Sequence, residues 1–105
     1  MDFMKLKLIV TVPETHADIV REAIGKTGKD KIANYGFCSF STKGVGRFMP
    51  LDGAKPAIGE VGTLEQVIED RIEISCTSEG VEEVIAAIKA VHPYEEPVID
   101  VYPLV

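Results

Sequence analysis

The stretch IEISCTSEGVEEVIAAIKAVHPYEEPVIDVY, residues 72–102, contains a strand, a helix and a second strand in one continuous pattern. Apolar and polar residues alternate over residues 67–76, which is the period of a half-buried strand. From Val81 to Val91 the apolar residues recur three and four positions apart, which predicts an amphipathic helix. Pro93 ends that helix, because proline disfavours the helical conformation at the residue before it. The apolar run over residues 98–102 predicts a last strand.

The N-terminal half begins with the same order of elements. Residues 5–12 alternate and predict a strand, and apolar residues at helical spacing over 17–24 predict a helix that Gly28 ends. The candidate N-caps of the two helices are Thr15 and Ser78, whose hydroxyl groups can accept the free backbone N–H groups of a first turn.

The middle of the chain predicts a second strand, a turn and a long loop. Tyr35–Ser41 has strand character, Thr42–Gly44 has turn residues, and Val45–Met49 is predicted to return as the partner strand of a short hairpin. Residues 50–62 carry regularly spaced prolines and glycines among apolar residues, which predicts an ordered loop.

The resulting order is β-α-β-β-α-β with an extra hairpin arm. This order is typical of the α+β class, as a ferredoxin-like βαββαβ sandwich. Right-handed crossovers place both helices on one face of an antiparallel sheet, with the first and third main strands in the centre. We expect a single domain over residues 1–105, since no linker or repeat divides the chain.

The sheet face opposite the helices is predicted to be apolar. An open face of this kind usually meets another surface, so the pattern favours a homo-oligomer. The alternative is that the loop over residues 50–62 folds back and covers the face. The large side chains assigned to it are Ile9, Tyr35, Phe37, Val98 and Tyr102.

Composition excludes several classes of function. The net charge of -6 argues against nucleic-acid binding, which needs clustered basic residues. No apolar run approaches the roughly 20 residues of a membrane span, and no signal peptide is recognisable, so we expect a cytoplasmic protein. Cys38 and Cys76 lack the spacing of a metal-binding pair and are predicted to be buried free thiols.

The motifs for catalysis are weak, and we expect no enzyme activity. GKTGK, residues 25–29, lacks the first glycine of a phosphate-binding loop and ends a helix instead of opening one. HPYEEP, residues 92–97, allows two interpretations. His92 with Glu95 or Glu96 could bind a metal ion, although a closed site needs three or four ligands. The segment could also be only a turn that ends the helix and starts an edge strand, which the pattern favours.

Several stretches together resemble one family. IVTVPETHADIVREAI, NYGFCSFSTKGVGRFMPLDGAKPAIGEVGTLEQV, EDRIEI and VIAAIKAVHPYEEPVIDVYPL are similar to the YqfO-type domain. That domain is the PII- and CutA-like module inserted in the Nif-three-like dinuclear-metal hexameric proteins, and this sequence is expected to be the module standing alone. The HPYEEP turn also resembles the corresponding turn of CutA, the divalent-cation tolerance protein.

The resemblance implies a ferredoxin-like fold of the PII/CutA kind and trimeric assembly. It also implies that His92, with Glu95 as its neighbour, lies where CutA-like proteins have been linked to copper binding. The dinuclear metal site is not carried over, since His16 and His92 are the only histidines.

Three functions follow as expectations. The first is a non-catalytic oligomeric binding or regulatory module that holds a small ligand or partner at a subunit interface. The second is a copper- or zinc-binding protein that resembles CutA, with a divalent metal ion on His92 and Glu95. The third is an accessory to a metal-dependent hydrolase.

Overall fold

A computed structural model describes residues 4–105. They form a four-stranded antiparallel sheet with two helices, and a short 3-10 turn over Glu14–His16 leads into the first helix. The elements in chain order are β1 (Lys5–Pro13), α1 (Ala17–Lys26), β2 (Phe40–Phe48), β3 (Glu65–Thr77), α2 (Val81–Val91) and β4 (Ile99–Pro103).

The strand order is β2-β3-β1-β4, which confirms the predicted ferredoxin-like α+β fold. β1 and β3 are central and pair from Lys5↔Thr77 to Pro13↔Glu69. β2 and β4 form the edges, as expected. The prolines around β4 suit an edge position, because proline has no backbone N–H group with which to form a hydrogen bond to a neighbouring strand.

The core lies between the helices and one face of the two central strands. Side chains of β1 and β3 alternate, so every second residue meets the helices. Leu8, Val10, Ile72, Val20 and Ile88 each have an exposed fraction of 0%. Residues at helical spacing on α1 and α2 close this core from the other side.

The second strand differs from the predicted hairpin. β2 is one continuous strand through Thr42–Gly44, where a turn was expected, and it pairs with β3 from Phe40↔Glu73 to Phe48↔Glu65. The extra arm therefore consists of β2 and β3, which continue as residues 45–48 and 65–68 beyond the end of β1. The prediction of a turn was wrong because all three residues of Thr42–Gly44 pair with residues 69–71 of β3.

Tyr35 and Phe37, assigned above to the open sheet face, lie in the connection between α1 and β2. The ring of Phe37 packs on Gly25 of α1, where any larger residue would overlap it. Phe37 has a positive φ of 55°, which is incompatible with a strand. Cys38 in the same connection is only partly buried, whereas Cys76 is buried as predicted; both are free thiols.

Both predicted N-caps are wrong, and the predicted end of α1 is confirmed. The N-cap residues are His16 and Gly80, neither with a side-chain hydrogen bond to the helix. The hydroxyl of Ser78 instead accepts the N–H of Met4 at 3.2 Å. Gly28 has a φ of +70° and its N–H donates to the carbonyl of Gly25, as a helix terminator requires.

The sheet face opposite the helices carries exposed apolar side chains at its edges, with the exposed Asp100 between those of β4. Phe40, Val98 and Tyr102 have exposed fractions of 65%, 56% and 51%, while Ile9 between them is buried. The loop over residues 50–62 does not cover Phe40 or Tyr102, so the alternative of a self-covered face is wrong for these residues. Over residues 4–105, neither helix has the length and apolar character needed to cross a membrane.

Candidate functional site

The HPYEEP turn places His92 against the end of β1. α2 ends at Val91, and His92 is extended with φ −71° and ψ 134°, as the following Pro93 requires. The imidazole lies beneath the turn and is 8% exposed.

Both ring nitrogens of His92 make hydrogen bonds to backbone groups. The Nε2–H group donates to the carbonyl of Thr11 at 2.8 Å, and Nδ1 accepts the N–H of Tyr94 at 3.1 Å. Because a carbonyl can only accept and an N–H can only donate, the ring is neutral with its proton on Nε2. The β1–β4 ladder ends at Val10↔Ile99, so His92 supplies the partner for the next carbonyl along β1.

Burial lowers the pKa of His92, because it disfavours the charged imidazolium. The Thr11 carbonyl and the charge of Glu69 act in the opposite direction and raise the pKa of His92, whereas the charge of His16 lowers it further. The neutral ring observed in the hydrogen-bond pattern is therefore also the electrostatically preferred form near neutral pH.

Tyr94 connects the turn to the arm of the sheet. Its hydroxyl donates to Oε2 of Glu69 at 2.7 Å, and its ring meets the edge of Phe48 at a centroid distance of 5.7 Å. Burial and the carboxylate of Glu69 raise the pKa of Tyr94, so the phenol remains protonated and keeps donating.

Glu69 is a buried carboxylate on the open face of β3, with an exposed fraction of 8%. Its side chain lies over Gly46 of β2, where an added Cβ would overlap Oε1. Gly46 is thus needed for the close approach of the carboxylate, since any side chain there would overlap it.

Glu95 holds the long loop. Its Oε1 accepts the N–H of Lys55 at 3.2 Å. The loop itself closes through the N–H of Gly62, which donates to the carbonyl of Pro50 at 2.8 Å. Glu96 is exposed beside it. The loop therefore contacts its own chain at the HPYEEP turn.

A cavity of about 270 Å³ lies between this loop, the arm and the turn. Its wall is mainly apolar, and the carboxylates of Glu69, Glu95 and Glu96 line it together with Arg47. This volume is slightly below the range of about 300–1,000 Å³ typical of ligand pockets.

His92 and Glu95 are neighbours in the turn but serve different partners, one the end of β1 and the other the loop. In residues 4–105 no three His, Cys, Asp or Glu side chains are grouped closely enough to hold a metal ion. The metal-binding role predicted for His92 and Glu95 stays a prediction, which the titration described below tests.

Glu69 and its neighbour Asp70 are two buried acids that were not predicted from the sequence. Asp70 is 5% exposed on the helix side, where it accepts hydrogen bonds from Lys43 at 2.7 Å and Arg21 at 3.0 Å. These cations hold the pKa of Asp70 below its usual range, Lys43 contributing most. Two adjacent acids inside an apolar strand were the available signal, because alternation then buries one on each face.

No family model matches the chain. Among curated proteins, it is 50% identical over 98 residues to "GTP cyclohydrolase 1 type 2 homolog" of Halalkalibacterium halodurans, and 48% identical over 98 residues to the protein of the same name from Bacillus subtilis. Each match covers 93% of this chain and 26% of the relative, so the chain spans about a quarter of the length of these proteins.

Solved structures agree with these matches. A Bacillus cereus protein described as related to NIF3 superposes with a TM-score of 0.84 at 43% identity, over 97% of this chain and 26% of that one. CutA from Archaeoglobus fulgidus gives 0.71 at 20% identity, over 96% and 84% of the two chains. The GlnK–ATP complex of B. subtilis gives 0.67 at 15%, over 99% and 84%. The CutA and GlnK structures establish similarity of fold alone. The resemblance to the YqfO-type domain that was predicted from the sequence is confirmed by the curated relatives and by the NIF3-related structure.

Proposed function

This chain corresponds to the YqfO-type PII/CutA-like domain, and we propose that it is a non-catalytic binding or regulatory module that assembles with its own copies. A small ligand or partner is then held where subunits meet. The observation that carries the proposal is the open sheet face, with Phe40, Val98 and Tyr102 each at least half exposed.

A second copy is the occupant that suits this face best. The face combines large apolar side chains with two edge strands, β2 and β4, whose outer backbone groups have no partner strand in the described part of the chain. Apolar surface and free strand edges together favour association with another sheet of the same kind.

The arm supports assembly through a second surface, because its exposed apolar pair lies on the helix side of the sheet. Beyond the end of β1 it is two-stranded, and its cross-strand pair Val45↔Ile68 is 61% and 54% exposed. Two isolated strands are marginally stable in water, so burial of this pair against another subunit would stabilise the arm.

A non-catalytic role is supported by the state of the polar groups at the turn. His92 is neutral and its only free lone pair, on Nδ1, accepts the N–H of Tyr94, so the ring is not available as a general base. Tyr94 in turn donates to Glu69. These bonds hold the turn, so the ring of His92 has no lone pair free to activate a nucleophile there.

Size-exclusion chromatography with light scattering at micromolar protein tests the assembly. We expect the wild type at three times the chain mass of 11.4 kDa. Phe40→Glu places a charge on the apolar face and should shift the protein to the monomer mass, because an unpaired charge cannot be buried between subunits. Ala86→Glu adds the same charge on the outer side of α2, where residue 86 is exposed, and should keep the wild-type mass. A wild type that is strictly monomeric would refute the proposal.

The name of the curated relatives suggests a further role. They are named homologs of a GTP cyclohydrolase, and this chain matches about a quarter of each. A role as accessory to a metal-dependent hydrolase therefore remains a proposal about a longer protein. The discriminating observation is metal-dependent turnover of phosphoester or cyclic-amide substrates by this chain, abolished by a chelator.

Metal binding by His92 and Glu95 is the second candidate function. A metal ion on His92 would have to displace either the Thr11 carbonyl or the Tyr94 N–H from the ring. Calorimetric titration of Cu²⁺ and Zn²⁺ into the wild type, His92→Gln and Glu95→Gln measures it. If the pair binds metal, both variants should lose at least about tenfold in affinity. Equal binding by all three proteins would eliminate these ligands.

A further inference from the structure

The cavity between the loop and the arm has a polar group that the turn does not use. Its floor is the open face of the sheet at Gly46, and its walls include Phe48, Tyr94, Ile58 and Val98. The combination of an apolar wall with few polar groups is typical of small-molecule sites.

The unused group is Oε1 of Glu69. Oε2 accepts the hydroxyl of Tyr94, whereas Oε1 has no hydrogen-bond partner among residues 4–105. Glu69 is 8% exposed. Its Oε1 lies over Gly46, and both residues line the cavity. A carboxylate in this position can accept further hydrogen bonds, and a single phenol satisfies only part of its capacity.

No Lys, Arg or His side chain among residues 4–105 forms a salt bridge with Glu69. The nearest basic residue on the same face of β3, Arg71, pairs with Glu73 at 3.6 Å. The other carboxylates that line the cavity, Glu95 and Glu96, add negative charge, and within residues 4–105 Arg47 is the one basic residue lining it. Burial of a carboxylate is costly without a paired charge, so a positively charged ligand is the favourable occupant.

We propose that this cavity binds a small organic cation, a primary ammonium group on an aromatic or aliphatic body, with Glu69 as its counter-ion. The ammonium group donates to Oε1, and the apolar body lies along Phe48 and Ile58. The rings of Phe48 and Tyr94 offer additional attraction to a cation. A metal ion fits less well, because in residues 4–105 no three His, Cys, Asp or Glu side chains, these carboxylates included, are grouped closely enough to hold one.

The inference rests on the proposed function in that it names the ligand class of a binding module, but it places that ligand in a cavity of one chain and not where subunits meet. It does not rest on the assembly, because every group it uses belongs to one chain. A monomer that binds the cation would refute only the assembly. An oligomer without preference for the cation would refute only this site.

Three probes of similar shape test the site on the wild type: phenethylammonium, the neutral phenethyl alcohol and the anionic hydrocinnamate. Binding is measured by isothermal calorimetry and by backbone amide shifts around residues 46–48. We expect the cation to bind at least about tenfold more tightly than either analogue, since only it pairs with the carboxylate. Equal affinities, or no binding of the cation up to millimolar concentration, would overturn the proposal without any variant.

Glu69→Gln then tests the residue. The amide keeps an oxygen that can accept the hydroxyl of Tyr94 but removes the charge. Affinity for phenethylammonium should fall at least about tenfold, while that for phenethyl alcohol stays within about twofold. Glu82→Gln removes the same charge from the exposed surface of α2 and should change neither. Unchanged cation affinity in a folded Glu69→Gln protein would contradict the assignment.

Discussion

Replacement of His92 by alanine should lower the free energy of unfolding by about 2–4 kcal/mol, measured by urea denaturation. The imidazole satisfies the carbonyl of Thr11 and the N–H of Tyr94, and both backbone groups lose their partner in the variant. A buried polar group without a partner costs about 1–3 kcal/mol. The loss of a buried ring also leaves a cavity at the junction of α2, β1 and the turn.

His92→Gln is the matched variant, because its amide N–H group can reach the position of Nε2. It should recover part of the loss through the bond to Thr11. If His92→Ala is as stable as the wild type, the two hydrogen bonds contribute nothing and the turn is held by its prolines alone.

The same histidine makes stability depend on pH. Burial lowers its pKa in the folded protein below the ordinary value of 6.5. As the pH falls below about 6.5, the unfolded chain takes up a proton that the folded protein resists, so stability decreases toward the folded-state pKa. The contribution of the neutral His92 to stability is therefore fully present above about pH 6.5. His92→Gln should therefore show a flatter stability profile between about pH 7 and 5 than the wild type.

Leu8→Ala should destabilise the fold by about 2–5 kcal/mol, the range of Leu→Ala changes in closed cores. Leu8 is 0% exposed, in the centre of β1, and packs in the cluster that joins both helices to the sheet. The measurement is urea denaturation at fixed protein concentration, because assembly would otherwise make the apparent stability depend on it.

Leu51→Ala provides the control with the same chemical change. Leu51 is 69% exposed in the loop, so its truncation should cost less than about 0.5 kcal/mol. Similar losses for the two variants would mean that the core does not lie between β1 and the helices.

Most of the fold could be predicted from the sequence, because its main elements have unambiguous periods. β1, the second half of β3 and α2 bury one regular set of side chains, and that set is visible in the chain as alternation or as helical spacing. The order of these elements then restricts the topology to few arrangements.

The second strand could not be predicted in the same way. The described structure leaves most of β2 exposed, so no buried face imposes a pattern on Phe40–Phe48. Its glycines resemble turn residues when they are considered alone. Gly46 is extended because it pairs with Val67 of β3, and the side chain of Glu69 occupies the space that a Cβ at residue 46 would need.

The candidate site shows the same division. The sequence by itself determined that His92 follows a helix and precedes Pro93, because local backbone restrictions decide both. Only the tertiary structure decided that His92 meets Thr11, Tyr94 meets Glu69 and Glu95 meets Lys55. These partners are 81, 25 and 40 residues apart in the chain, and no local pattern encodes contacts over such separations. They form because the antiparallel register of β1 with β3 and β4 brings the end of α2, the arm and the loop to one end of the sheet.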